Sequence, residues 1–345
     1  MDIHVLPEEL DKFHKGLQSI GTDVKVVIND LQKLIDIEKN STTGHREARA
    51  AHLISHTTYH TFNTISSYLD SVAAASNIAQ VVTIGQTTEG RPLKLLKVSS
   101  GGTGKKAIFM DGGIHAREWV ASATVIYLID QIVFNQNRDS QVATLLNHFD
   151  FYLMPMERLW RKNRADADRF SFFGSCKGVD LNRNFGYHWN PDAGGSRDPC
   201  NDIYAGHSAM SEPETAALGR YLDSHGSSII AYLNFHSYGE YWLYPWGYTS
   251  TLPTDWRDLD HAARAAANAI HGVHHASFTV GEDTRVLYVA AGGADDYAKG
   301  HAVELRPDDN SRYGFVLPAS QIISSGQEIW AGLKAFAADI IQREG

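Results

Sequence analysis

The chain has 345 residues, 43% hydrophobic and 21% charged, enough to bury a sizeable core as one large α/β domain, or one with a small appendage. Its 31 basic residues stand against 40 acidic ones, a net charge of −9 with no block of like charge, which gives nucleic-acid binding no support. No stretch approaches the roughly 18 uninterrupted apolar residues of a membrane span, and the opening MDIHVLPEELDKFHKG lacks the basic-then-apolar pattern of a secretory signal.

Residues 1–46 read as helix, strand, helix. PEELDKFHKGLQSIG has helical apolar spacing and stops at Gly21, VKVVI is a short strand, and NDLQKLIDIEKN opens on Asn29 or Asp30 as its cap. The polar stretch NSTTGHREARAAH reads as an exposed linker, in which Arg46 and Arg49 offer cuts to a trypsin-like protease. Asn40-Ser41-Thr42 is a glycosylation sequon if the chain is secreted. Beyond residue 50, strand-like runs alternate with helical patterns. KKAIFMDGG precedes the helix SATVIYLIDQIVFNQ. SEPETAALGRYLDSHG, with Ser211 and Glu214 at capping-box spacing and Gly226 as its stop, leads into the strand SIIAYLNF. The helices DWRDLDHAARAAANAIHG and GQEIWAGLKAFAADIIQ follow. This alternation predicts a mostly parallel sheet covered by helices on both faces.

In such sheets the site lies at the carboxyl ends of the strands. GGIHAREWVA places His115, Arg117 and Glu118 just after one strand, and His236 ends another. Two histidines and a glutamate make the three-ligand set of a catalytic zinc with its fourth position open, and His-x-x-Glu spacing puts two of them on one side of a helical turn. Arg117 suits an anion. Among 17 histidines, the same spacing taken alone also describes a solvated helix face. Asp180, Asn182 and Arg183 fall in one loop, SCKGVDLNRNFGYHWN. The only two cysteines, Cys176 and Cys200, read by their number alone as free thiols.

Taken together, GGIHAREW, LWRKNR, SCKGVDLNRNFGYHWN, NFHSYGEYWLYPWGY and RYGFVLPASQI resemble the zinc metallocarboxypeptidases of the pancreatic carboxypeptidase A and B type, over nearly the whole chain. The resemblance implies an α/β fold with a mixed, mostly parallel, twisted eight-stranded sheet flanked by helices. Residues 1–46 would be a partial inhibitory activation segment, 47–51 a cleavable linker and 52–345 the catalytic domain. His115, Glu118 and His236 would hold one zinc ion, with Asp180 fixing the tautomer of His115. Asn182 and Arg183 would grip the free carboxylate of a peptide's last residue and Tyr288 close over it, because a guanidinium fork suits a carboxylate and selects chain ends. Arg164 would polarise the scissile carbonyl and stabilise the oxyanion, while Arg117 guides the substrate tail. Glu304, in AVELRP, matches the general base and acid that serves the attacking water and the leaving amine. Cys176 and Cys200 sit where the family carries a disulfide. Seven positions beyond Tyr288 stands Asp295, where basic-specific members carry aspartate, and its neighbour Asp296 would be structural. The expected protein is therefore a secreted, monomeric zinc exopeptidase, made as a trypsin-activated zymogen and taking C-terminal Arg or Lys from peptides and proteins.

Three features depart from the family pattern. The activation segment lacks its front half; FYLMPMERLWRKNR runs from strand to arginine motif without an Asn-Pro-Asp-Gly-Tyr loop; and GHAVELRP reaches Glu304 with only Ala302 and Val303 before it. The last predicts a shortened central strand, since a strand usually needs about five or six residues, and it unsettles the position of Glu304. The alternative reading is then a non-catalytic or truncated homologue that binds zinc or peptide C-termini without cleavage. A zinc deacylase of small molecules on a related fold is disfavoured by the presence of Asn182, Arg183 and Tyr288.

Overall fold

The computed structural model describes residues 7–19, 28–43, 54–156, 161–165, 170–171 and 174–344, with the single positions 5, 21 and 26. Most of the strand expected at VKVVI, residues 24, 25 and 27, lies outside the described residues, as does the 47–51 linker with Arg46 and Arg49. Ahead of them, helix α1 (Leu10–Ser19) is followed at Gly21 by a positive φ of 69°, the stop expected there. Helix α2 (Leu31–Thr43) is capped by Asp30, whose carboxylate accepts the Lys33 N–H at 2.9 Å.

Among the described residues, the main sheet has eight strands: β1 (Ala79–Gln86), β2 (Pro92–Val98), β3 (Lys106–Gly112), β4 (Phe149–Pro155), β5 (Ile229–Gly239), β6 (Tyr241–Tyr244), β7 (Thr279–Glu282) and β8 (His301–Asp308). They form one sheet in the order β1-β2-β4-β3-β5-β8-β6-β7. The four central strands β4, β3, β5 and β8 run parallel, and antiparallel pairs join them to β2 on one side and β6 on the other. The mixed, mostly parallel architecture is the one expected.

Alternation along the buried strands feeds two cores. Ile108 and Met110 of β3 and Phe151 and Leu153 of β4 face helices α3 (Phe62–Ala75), α4 (Trp119–Phe134), α5 (Ser140–His148), α7 (Trp256–His274) and α10 (Ile322–Glu344). Phe109 and Tyr152, one position away on each strand, face the smaller core under α6 (Pro213–His225) and α9 (Ala294–Ala298). Ile35 of α2 packs against the first core. The capping box expected at Ser211 and Glu214 does not form. Pro213 takes the first helical position, the Glu212 side chain makes no cap bond, and Glu214 accepts the Thr88 N–H at 2.8 Å instead.

The expectation of a shortened central strand is corrected at β8. Its approach to Glu304 is indeed brief, but the strand continues past it to Asp308, giving eight residues. His301–Leu305 pair in parallel with Leu233–Ser237, and Ala302–Glu304 pair antiparallel with Leu243–Tyr241. Glu304 is therefore flanked by strands on both sides. The earlier part of β5 is covered by α9 and the turn after it rather than by β8. Lys299 adopts φ 51°, and Gly300 packs on Tyr232 so closely that a Cβ there would lie 2.5 Å from the Tyr232 carbonyl oxygen. Val303 and Leu305 are fully buried and anchor the strand.

This entry turn is a sharp test of the register. Gly300→Ala should lower the free energy of unfolding by about 1–3 kcal/mol, since backbone must shift to admit the methyl. Denaturant titration measures it, and an unchanged midpoint would contradict the packing described.

Candidate metal and peptide-terminus site

Three strand ends converge on one cleft with a volume of about 310 Å³. After β3, Glu118 N–H bonds to the His115 carbonyl at 3.0 Å, closing a turn that leads straight into α4. The His-x-x-Glu pair thus shares a turn before the helix, where Glu118 is the N-cap residue. At the far end of β5 stands His236.

Glu118 is 3% exposed and lies between the two imidazoles. His115 Nδ1 is 2.9 Å from its Oε1 and His236 Nδ1 is 3.0 Å from its Oε2. Burial alone would raise the Glu118 carboxyl, but His115 and His236 hold it far below the usual range. Burial likewise works against charge on His236, and Glu118 outweighs it, pushing that imidazole up to about 9. The ligand atoms of the three residues all lie within 4.8 Å of one another. Two ring nitrogens and a carboxylate, buried and converging, fit zinc with a position left for another ligand.

The outer ring nitrogens are held from behind. His115 Nε2 meets Asp180 Oδ1 at 3.0 Å, as expected of Asp180. His236 Nε2 is bonded to Asn234 Oδ1, and Asn234 in turn donates to the fully buried Asp111, which also accepts the Tyr232 hydroxyl at 2.7 Å. Both imidazoles consequently turn Nδ1 toward Glu118, the arrangement in which partners behind fix a ligand's tautomer. The Asp111–Asn234 support was missed in the sequence, although alternation along LNFHS puts Asn234 on the same side as His236.

Asp180 does more than hold His115. It caps a short turn, Leu181–Arg183, by accepting the Asn182 N–H at 3.1 Å, and it accepts two N–H donors of Arg161. Burial would raise its carboxyl, but Arg161 and His115 drive it far below the ordinary range. The Cys176–Cys200 disulfide, with 24 residues of separation, closes the loop that carries Asp180, Asn182 and Arg183; the free-thiol reading is corrected and the pairing implied by resemblance stands. Asn182 Oδ1 accepts the Ala294 N–H at 2.8 Å, and its Nδ2 comes within 3.4 Å of His236 Nε2. Arg183 is pinned by bonds to the Gly194 and Asn182 carbonyls at 2.8 and 2.7 Å, with its guanidinium 6.0 Å from the ring centre of Tyr288. Asn182, Arg183 and Tyr288 all line the cleft, and Tyr288 is 56% exposed at its rim.

Arg117 also lines the cleft, its guanidinium 4.1 Å from the Phe315 ring centre. Arg164 does not. It points into solvent and pairs with Glu89 at 2.6 Å, which corrects the expectation that it faces the scissile carbonyl. The reason lies in Asn163, which exchanges hydrogen bonds with Val179 and donates to Glu212, fixing the segment so that Arg161 turns into the cleft and Arg164 out of it. LWRKNR contains both arginines, and nothing in the motif alone says which one faces inward.

Glu304 lines the same cleft, and its buried Oε2 has no hydrogen-bond partner among the described residues. Burial raises its carboxyl to about 8, with His236 opposing and Glu118 adding. Asp295 is 5% exposed and faces the cleft from the first turn of α9. Asp296 faces away and accepts the N–H groups of Gly247 and Tyr248 at 2.8 and 2.9 Å, the structural part expected of it.

Comparison with known proteins agrees with this geometry. A family model described as zinc carboxypeptidase matches residues 65–332, and one described as carboxypeptidase activation peptide matches residues 1–38. Carboxypeptidase B of Astacus astacus is 42% identical, aligned over 81% of this chain and 96% of its own. Carboxypeptidase B of Homo sapiens is 34% identical over 99% and 84% of the two chains. Among solved structures, thrombin activatable fibrinolysis inhibitor superposes with a TM-score of 0.88 at 29% identity, covering 98% of this chain and 87% of that one. The carboxypeptidase A from Helicoverpa armigera gives 0.86 at 29% identity, covering 97% and 87%.

Two substitutions separate ligand from support. Glu118→Ala should abolish zinc retention, read as metal per protein by mass spectrometry after dialysis; full occupancy would refute the ligand set. Asp180→Asn, with all three ligands intact, should weaken zinc affinity by about 10–100-fold.

Proposed function

The chain belongs to the zinc carboxypeptidase family, and from that premise we propose that it removes single residues from peptide and protein C-termini, with Arg or Lys preferred. The protein is a metallocarboxypeptidase using one zinc ion. The observation that carries the reading is Glu304, whose buried Oε2 has no hydrogen-bond partner among the described residues, in the same cleft as the metal ligands and Arg183.

Each side chain has a part to play. His115, Glu118 and His236 would hold the zinc, which supplies Lewis acidity to the scissile carbonyl and makes water nucleophilic near neutral pH. Arg183 and Asn182 would bind the terminal carboxylate, with Tyr288 folding over it from the rim. A fixed guanidinium orients a carboxylate by charge and shape together, so an internal peptide bond, lacking that anion, is excluded. Arg161 and Arg117 would give the carbonyl oxygen a positive field as charge develops there, in place of Arg164. Glu304 would take a proton from the attacking water and return it to the leaving amine. Asp295 would meet a cationic terminal side chain, the same charge logic that gives the B-type preference.

Residues 1–46 would act as an inhibitory segment released by a trypsin-like protease at Arg46 or Arg49, and 52–345 as the active enzyme. A secreted protein accords with the Cys176–Cys200 disulfide, a bond that persists in oxidising surroundings. Among the described residues, no helix is long and apolar enough to cross a membrane.

The test is mass spectrometry of a peptide ending in Arg after incubation with trypsin-treated protein, with and without a zinc chelator. Chelator-sensitive loss of the terminal Arg is expected, and loss should be at least about 100-fold slower in Glu304→Gln at unchanged zinc content. Folded, zinc-loaded protein that removes nothing would favour a non-catalytic binder of C-termini.

A further inference from the structure

The cleft holds a second carboxylate beside Asp295. Asp283 opens a short helix, α8 (Asp283–Val286), directly after the edge strand β7, and so reaches the cleft from a different element than α9. It is 9% exposed and lines the cleft with Asp295. Its Oδ2 lies against Gly247, where a Cβ would come within 2.7 Å; Asp295 Oδ1 lies against Gly293, where a Cβ would come within 2.5 Å. Glycine at both positions leaves room for the two carboxylates to sit at the wall.

Among the described residues neither Asp283 nor Asp295 forms an ion pair. His236 eases the charge of Asp295, and Arg183 is the cation whose charge reaches both, but its Nε and one terminal nitrogen already donate to the Gly194 and Asn182 carbonyls. Burial pushes both carboxyls up, and for Asp283 the charges of Asp295 and Asp296 push further. Two acids at so little exposure, neither of them in an ion pair, are costly unless a ligand brings a cation to them.

We propose that Asp283 and Asp295 together form a two-carboxylate receptor for one cationic side chain, with Asp283 the second specificity-determining residue. This rests on the carboxypeptidase reading above and deepens it. A guanidinium presents donors along two edges and can meet two carboxylates at once, whereas an ammonium is a single compact charge. The receptor therefore favours Arg over Lys as well as basic over apolar ends. A neutral terminal side chain would leave both acids unanswered, which is the stronger source of discrimination.

The experiment compares kcat/KM of the zinc-loaded, activated protein on peptides ending in Arg, Lys or Leu, for wild type, Asp283→Asn, Asp295→Asn and the double variant. Asp283→Asn should lower the Arg-to-Leu ratio by about 10–100-fold, the loss of one charge-assisted contact, chiefly through KM, and should narrow the gap between Arg and Lys. An Arg-to-Leu ratio within twofold of wild type in Asp283→Asn would overturn the proposal, even if Asp295→Asn collapses the ratio. Asp283→Ser, with its smaller uncharged side chain, provides the same reading should Asp283→Asn not fold. Wild-type protein that cleaves none of the three peptides would sink the carboxypeptidase reading itself, an outcome distinct from a retained ratio.

Discussion

Burying Glu118 between two imidazoles is the constraint on which the cleft depends. A lone carboxylate at 3% exposure would be driven to its neutral form, yet His115 and His236 keep this one charged. That balance requires both rings to present Nδ1 inward, so each must be held by its Nε2. Asp180 does this for one ring, and Asn234 backed by Asp111 for the other. The supports come from two strands and a disulfide-closed loop, so the site is a consequence of the parallel sheet bringing those ends together. Zinc held by these three residues would take the place of the protons that otherwise lie between them, at groups the fold has already gathered.

Asp180 links this centre to the place where a substrate's end would sit. One carboxylate orients His115, caps the turn that presents Asn182 and Arg183, and anchors Arg161. Metal geometry and carboxylate recognition would thereby be tied through a single buried group, and the Cys176–Cys200 bond limits how far the loop can move relative to both. On the opposite wall, glycines at 247 and 293 leave space for Asp283 and Asp295. The cleft is thus zoned by charge, with the His115–Glu118–His236 cluster at one end, the guanidinium of Arg183 beside it and an acidic wall opposite.

Much of this was legible in the sequence where a motif carries its own geometry. His115 and Glu118, three positions apart after a strand, pointed to a shared turn only once His236 at another strand end and the other motifs stood beside them. The alternation of strands and helices gave the sheet. What escaped was decided by tertiary packing. LWRKNR offers two arginines, and the choice between Arg161 and Arg164 rests on Asn163 bonding to Val179 and Glu212, contacts made across the fold. The strand through Glu304 looked too short because its length was counted on one side only. Pairing with β5 lets it continue to Asp308, and Gly300 lets α9 stand close against Tyr232. Asp283 carries no motif at all, and only the meeting of α8 and α9 at one wall brings it beside Asp295.

A crystal structure of the zinc-loaded protein, with anomalous maps recorded on either side of the zinc absorption edge, tests the central claim most directly. One peak bound by His115 Nδ1, His236 Nδ1 and the Glu118 carboxylate, with the Glu304 carboxyl facing it across the cleft, is the expected result. A peak elsewhere, coordination through Nε2, or Glu304 turned out of the cleft would contradict the account.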